Sequence, residues 1–244
     1  MRLPKPGLGV YITAQWPNSE TFRSLLSSLD QVADFVEIGV PTTNPKYDGP
    51  FIRLSHREAA VKGLGALQGL DLPKNAVLMA YAEDYLGKFD ALARAAAESG
   101  AVSVLLPDLL VDFPEALEEY VLAVRRNGLD PSFFLPSKFP YALAGRLASY
   151  NPLFLYIGLY AATGIRLPVY VERNIKIARQ YAGDVYIVAG FAIDSADRAR
   201  AIVGAGADGL VVGTAAMKIL KERGLQQTLA FLAEIKEALR SLNI

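Results

Sequence analysis

Cysteine is absent from this chain of 244 residues, and histidine occurs once, at His56. Without cysteine there are no disulfides, thiol nucleophiles or thiolate metal sites. One histidine cannot build a multi-histidine metal centre, and it argues against a histidine-based catalytic triad. An excess of either charge is also missing: 25 basic side chains balance 25 acidic ones. With no basic block to neutralise phosphates, a nucleic-acid partner is not expected. Small anions remain open as ligands, because backbone amides bind them without net charge. No apolar segment follows the start Met1-Arg2-Leu3-Pro4-Lys5-Pro6-Gly7, so neither a leader nor a membrane span is expected and the chain reads as cytoplasmic.

What is present is apolar bulk. Apolar residues make up 52% and charged residues 20% of the chain, enough for one large core and too much for disorder. Short apolar runs alternate with segments of helical period. The runs at 8–14, 34–39, 76–80, 102–106, 131–135, 154–157, 185–189 and 209–212 read as strands. Helical periods are expected at 19–29, 51–62, 87–98, 113–126, 141–150, up to about Tyr181, 194–203, from Ala215, and over 225–242. In the first helix Phe22, Leu25, Leu26 and Leu29 share a stripe behind a capping Asn18 or Ser19. Pro114 falls where a first helical turn tolerates it. Eight strand–helix units without a linker predict an α/β fold, a (β/α)8 TIM barrel with residues 1–244 as a single domain. A doubly wound open sheet is the alternative. In the barrel, reactive side chains belong at strand C-terminal ends.

One such end stands out: Val36-Glu37-Ile38-Gly39-Val40-Pro41, followed by a loop that carries Asp48-Gly49-Pro50. Alternation places Phe35, Glu37 and Gly39 on one face. A carboxylate inside an apolar strand is costly unless neutralised, paired or used. Glu37 therefore reads either as a structural carboxylate or as an acid/base group, and Asp48 alone reads as a turn former. Together they suit proton transfer at two atoms of one substrate. Thr163-Gly164, Gly190-Phe191 and Gly213-Thr214 follow strands six, seven and eight. Each is an ordinary tight turn by itself; three in register suggest a phosphate cradle. His56 is expected to be a partly exposed helical residue without a role. Trp16-Pro17 and the pair Tyr11 and Tyr81 read as core or pocket lining.

From about residue 8 to residue 220 the order of these motifs resembles the tryptophan synthase alpha chain family. The resemblance is carried by Glu37-Ile38-Gly39-Val40-Pro41 with Asp48-Gly49-Pro50, by Pro107-Asp108, Thr163-Gly164 and Gly190-Phe191, and by Gly206-Ala207-Asp208-Gly209-Leu210-Val211-Val212-Gly213-Thr214. The spacing of the two carboxylates is the specific part; the glycines are shared by many barrels. The resemblance implies a lyase that cleaves indole-3-glycerol phosphate to indole and glyceraldehyde 3-phosphate without a cofactor of its own. It implies that Glu37 is the acid/base, half desolvated with a raised pKa, and that Asp48 holds the indole N–H. Tyr11, Met79, Tyr81, Leu105 and Phe134 would line the indole pocket, with Phe191 at its edge. Gly164, Gly190, Gly213 and Thr214 would contact phosphate, Thr163 would reach Asp48, and Asp108 would lie near partner-facing loops. The implied partner is a pyridoxal-phosphate (PLP) beta chain in an alpha2beta2-type complex.

The chain also departs from that pattern. Thr43-Asn44-Pro45 stands where the family has Ser-Asp-Pro, and Gly190-Phe191-Ala192 where it has Gly-Phe-Gly. The family's N-terminal helix is missing, and strand six is one residue short, which leaves Tyr156 unplaced. Indole-glycerol-phosphate synthase is a rival barrel enzyme, but its strand-end lysine has no counterpart here. A barrel kept only to activate a beta chain is the non-enzyme rival.

Overall fold

This computed structural model describes residues 3–136, 138–158, 169–190 and 193–242, with 169–171 described as backbone only. Thr163, Gly164, Phe191 and Ala192 lie outside the described residues. Eight parallel strands close into a barrel in sequence order: β1 (Gly7–Thr13), β2 (Phe35–Gly39), β3 (Ala76–Met79), β4 (Ser103–Leu105), β5 (Asp130–Leu135), β6 (Leu155–Gly158), β7 (Ile187–Gly190) and β8 (Gly209–Val212). β8 pairs with β1, so no edge is left open. The outer layer consists of α1 (Ser19–Leu29), α2 (Pro50–Glu58), α3 (Phe89–Glu98), α4 (Leu109–Asp112), α5 (Leu117–Arg126), α6 (Tyr141–Ala148), α7 (Val169–Ala182), α8 (Ala196–Gly204), α9 (Thr214–Arg223) and α10 (Leu225–Arg240).

The helices follow their local chemistry. Asn18 caps α1 by accepting the Thr21 amide at 2.9 Å, and the stripe Phe22, Leu25, Leu26, Leu29 is buried as its spacing predicts. Two predicted helices are shorter than their apolar period. The 51–62 helix is α2, Pro50–Glu58; Ala59 leaves helical geometry at ψ 125. The Lys62 ammonium then caps α2 by donating to the free carbonyls of His56, Arg57 and Ala59. The 113–126 helix is in fact a 3-10 turn at Pro114–Ala116 followed by α5, with α4 ending just before it at Asp112. Phe113 sits at φ −136, ψ 49, because a residue before proline is excluded from the helical region.

Aromatic rings fill the barrel interior, and glycines on neighbouring strands make room for them. Phe35 and Phe154 lie 5.9 Å apart, and Phe134 and Tyr156 5.5 Å. A Cβ on Gly9 would lie 2.4 Å from the Phe35 ring, and one on Gly39 would lie 2.2 Å from the Tyr11 hydroxyl. Among the described residues, the segment before β1 closes over the base of the barrel. There the Tyr186 hydroxyl lies 2.6 Å from the Pro4 carbonyl and 2.9 Å from that of Asp208, and Lys5 pairs with Asp208 at 2.8 Å. With the base sealed, the open end is the one where the strand C-termini carry Glu37 and its neighbours.

Candidate active site

The cavity at that end has a volume of about 250 Å³ and is lined by residues from most of the strands. Tyr11, Glu37, Met79, Leu105, Phe134, Tyr156 and Val211 reach it from β1 to β6 and β8. Asp48 enters from the loop after β2, and Gly213, Thr214, Ala215 and Lys218 from the start of α9.

Glu37 is buried rather than half desolvated, at 1% exposure. Its Oε1 has no hydrogen-bond partner among the described residues. Burial, and secondarily the charge of Asp48, push its pKa up to about 8. Asp48 is also buried, and burial lifts its pKa to about 7 against the opposing pull of the Tyr81 hydroxyl and Arg53. The two environments differ in one decisive respect. Tyr81 donates to Asp48 Oδ2 at 2.9 Å, whereas Glu37 Oε1 receives nothing. The charge of Asp48 raises the cost of ionising Glu37, and the carboxylate with a donor is the better place for the charge. The pair therefore favours charge on Asp48 and the proton on Glu37.

The loop that carries Asp48 is held from three sides. Arg53 Nε donates to the Asp48 carbonyl at 2.7 Å and its Nη2 to the Lys46 carbonyl at 2.6 Å. Tyr81 accepts the Tyr47 amide at 3.0 Å while donating to Asp48. Lys46 bridges Glu83 and Asp112 at 2.7 Å each, and Asn44 Nδ2 adds a bond to Glu83 at 3.1 Å. Asp108, fully buried, accepts the amides of Ala82 and Glu83 at 2.7 and 3.1 Å and so orders the loop after β3.

The structure sorts the predicted site residues. Tyr11, Glu37, Asp48, Met79, Leu105, Phe134, Gly213 and Thr214 line one cavity. Tyr81 stands behind Asp48 as its donor instead of in the lining. Gly190 ends β7, but a Cβ there would lie 1.7 Å from the Tyr156 hydroxyl; its missing side chain makes room for that ring. Thr163, Gly164 and Phe191 fall outside the described residues. At α9 the Gly213 carbonyl accepts the Met217 amide at 3.0 Å, leaving the amides of the first turn without helical partners and pointing out of the helix. Trp16 is core: fully buried, with its indole N–H on Glu58 at 2.7 Å.

His56 departs most from expectation. It is 1% exposed, with Nε2 3.1 Å from the Tyr11 hydroxyl and 3.7 Å from Asp48 Oδ2. Ile52, Ser55 and His56 form the buried stripe of α2, a helical spacing that two polar members disguise. Tyr156, unplaced by sequence, lines the cavity; alternation from Phe154 into β6 carries that signal. Lys218 also lines it, one turn beyond Thr214. Among the described residues, no group of three or more acidic or histidine side chains is arranged to hold a metal ion.

Residues 4–242 match the family model described as tryptophan synthase alpha chain. The tryptophan synthase alpha chain of Sulfurisphaera tokodaii is 32% identical over 94% of this chain and 96% of its own length. That of Geotalea uraniireducens is 33% identical over 96% and 92%. A mutant alpha-subunit from the hyperthermophile Pyrococcus furiosus superposes with a TM-score of 0.84 at 24% identity, covering 96% of this chain and 98% of that one. At that identity the superposition speaks for the fold.

Proposed function

The chain belongs to the tryptophan synthase alpha chain family, and from that premise we propose how its cavity performs the lyase step of tryptophan biosynthesis. The substrate is indole-3-glycerol phosphate. Its indole ring lies among Tyr11, Met79, Leu105, Phe134 and Tyr156, and its phosphate on the first-turn amides of α9 beside Gly213 and Thr214.

Glu37 starts protonated and delivers its proton to indole C3. The ring becomes a cationic indolenine, and the Asp48 carboxylate accepts a hydrogen bond from the ring N–H, where that charge is centred. The Glu37 carboxylate then takes the proton of the hydroxyl on the adjacent glycerol carbon. The carbon–carbon bond breaks, its electron pair restores the indole, and the aldehyde of glyceraldehyde 3-phosphate forms. One proton leaves Glu37 and one returns, so the step balances without water or a cofactor in this chain. The observation that carries this reading is the asymmetry of the pair: Asp48 has the Tyr81 donor and Glu37 Oε1 has none.

The product is apolar and suits direct transfer to a PLP-dependent beta chain in an alpha2beta2-type complex, seated over the loops at 42–50 and 107–112. Among the described residues, no helix is long and apolar enough to cross a membrane, in keeping with a cytoplasmic setting. Glu37→Gln and Asp48→Asn should each lower indole release by about 100-fold or more. Full activity in both would sink the mechanism.

A further inference from the structure

His56 is a buried titratable group beside the cavity that this reaction leaves unused, and its surroundings determine where the nearby protons lie. Thr42 donates its backbone N–H to His56 Nδ1 at 3.1 Å. That nitrogen accepts, so it carries no proton, and the imidazole is neutral with its one N–H on Nε2. Burial, reinforced by Lys62, agrees by lowering the His56 pKa to about 4. The Nε2 proton faces the Tyr11 hydroxyl at 3.1 Å, which must accept it. At the far end, Ser55 donates to the Ile52 carbonyl at 2.7 Å, so the Thr13 hydroxyl, 2.6 Å away, donates to Ser55. Thr13 is then free to accept only from Tyr11, at 3.3 Å. The result is one directed chain from the Thr42 amide through His56, Tyr11, Thr13 and Ser55 to the Ile52 carbonyl, all its side chains buried.

We propose that His56 is a positioning residue: it holds its single ring proton against the Tyr11 hydroxyl and toward the Asp48 carboxylate, and thereby commits the Tyr11 proton to Thr13 and away from Glu37. Tyr11 and Glu37 are cross-strand partners of β1 and β2 and both line the cavity. If the Tyr11 proton turned to Glu37, it would stabilise the Glu37 carboxylate and weaken it as a proton donor. With that proton engaged elsewhere, Glu37 Oε1 stays unpartnered. His56 Nε2 also lies 3.7 Å from the oxygen of Asp48 that Tyr81 holds, near it but beyond hydrogen-bond distance. The groups facing Asp48 among the described residues are Tyr81 from the segment after β3, Arg53 and His56 from α2, Tyr11 from β1, Glu37 from β2 and Tyr156 from β6.

This assignment rests on the lyase reading, but its first test does not. His56 is the only histidine, so protein labelled with 15N-histidine shows one imidazole by NMR. The expected result is a proton on Nε2 and none on Nδ1, unchanged from about pH 5 to about pH 8. A proton on Nδ1, or an imidazolium forming near the ordinary value of about 6.5, overturns the proposal whatever the enzyme's activity. The second test compares His56→Gln, whose amide reaches the Nε2 position, with His56→Asn, whose amide reaches only the Nδ1 position and keeps the Thr42 contact. Gln should stay within about fivefold of the parent in kcat. Asn should lose about 10- to 100-fold in kcat with KM little changed, and the alkaline limb of its pH profile should move downward as the Tyr11 proton turns to the Glu37 carboxylate. Equal rates and an unshifted limb in the two variants would overturn the role. Full activity of Glu37→Gln would instead overturn the reaction and leave the imidazole result standing.

Discussion

Glu37 shows how one buried side chain ties stability to pH. Its pKa rises on folding, from about 4.5 to about 8, so the folded chain binds this proton more tightly than the unfolded chain does. The stability linked to Glu37 is therefore fully present below about pH 4.5 and is lost as pH rises through about 8. Glu37→Gln cannot ionise and should remove that loss. Relative to the parent, the variant should gain at least ~1 kcal/mol between pH 5 and pH 8, since one pKa unit corresponds to ~1.4 kcal/mol. Paired urea melts at the two pH values measure it; parallel curves for parent and variant would refute the burial argument. The two carboxylates that meet in the cavity were legible because a carboxylate interrupting an apolar strand is conspicuous and because Asp48 follows it in the stretch that carries the resemblance. His56 was not legible, because partners from β1 and from the loop after β2 decide its burial, and no local pattern records them.

At the level of the element, the loop after β2 carries the argument. Lys46 joins it to Glu83 after β3 and to Asp112 at the end of α4, so one ammonium spans three of the barrel's connections. A partly exposed ion pair adds little to global stability, ~1 kcal/mol or less. Lys46→Met should therefore leave the denaturant midpoint nearly unchanged. It should raise amide exchange across residues 43–48, and it should lower kcat/KM several-fold by loosening Asp48. Unchanged exchange in that segment would show that Arg53 and Tyr81 alone hold it. Element boundaries illustrate the limits of periodicity. The apolar stripe runs through Phe113 into α5, but the proline ring at 114 breaks the backbone there, and a stripe of side chains cannot report that. The end of α2 was hidden similarly, because Lys62 caps it from four residues beyond Glu58.

For the whole molecule, eight regularly spaced apolar runs made the closed barrel legible, and the base of that barrel was the part left open. It is sealed by a ring. The Tyr186 hydroxyl stands where side chains at Gly7 and Gly209 would be, 2.3 and 2.5 Å from their Cβ positions. Gly7→Ala should cost about 2 kcal/mol or more by overpacking, and part of that cost should return in Gly7→Ala combined with Tyr186→Phe. A double-mutant cycle by chemical denaturation reads the coupling, expected at about 1 kcal/mol. Strictly additive losses would mean that Tyr186 is not the obstacle.

The rings that lie over glycines constrain how such a sequence can drift. Gly39 cannot grow while Tyr11 stands against it, nor Gly190 while Tyr156 does. The ring must shrink first, leaving a tolerable void; the opposite order passes through a barrel that cannot close. Each pair is thus a gate that opens from one side only, and lineages sharing this barrel should reach larger residues at these glycines only after losing the rings.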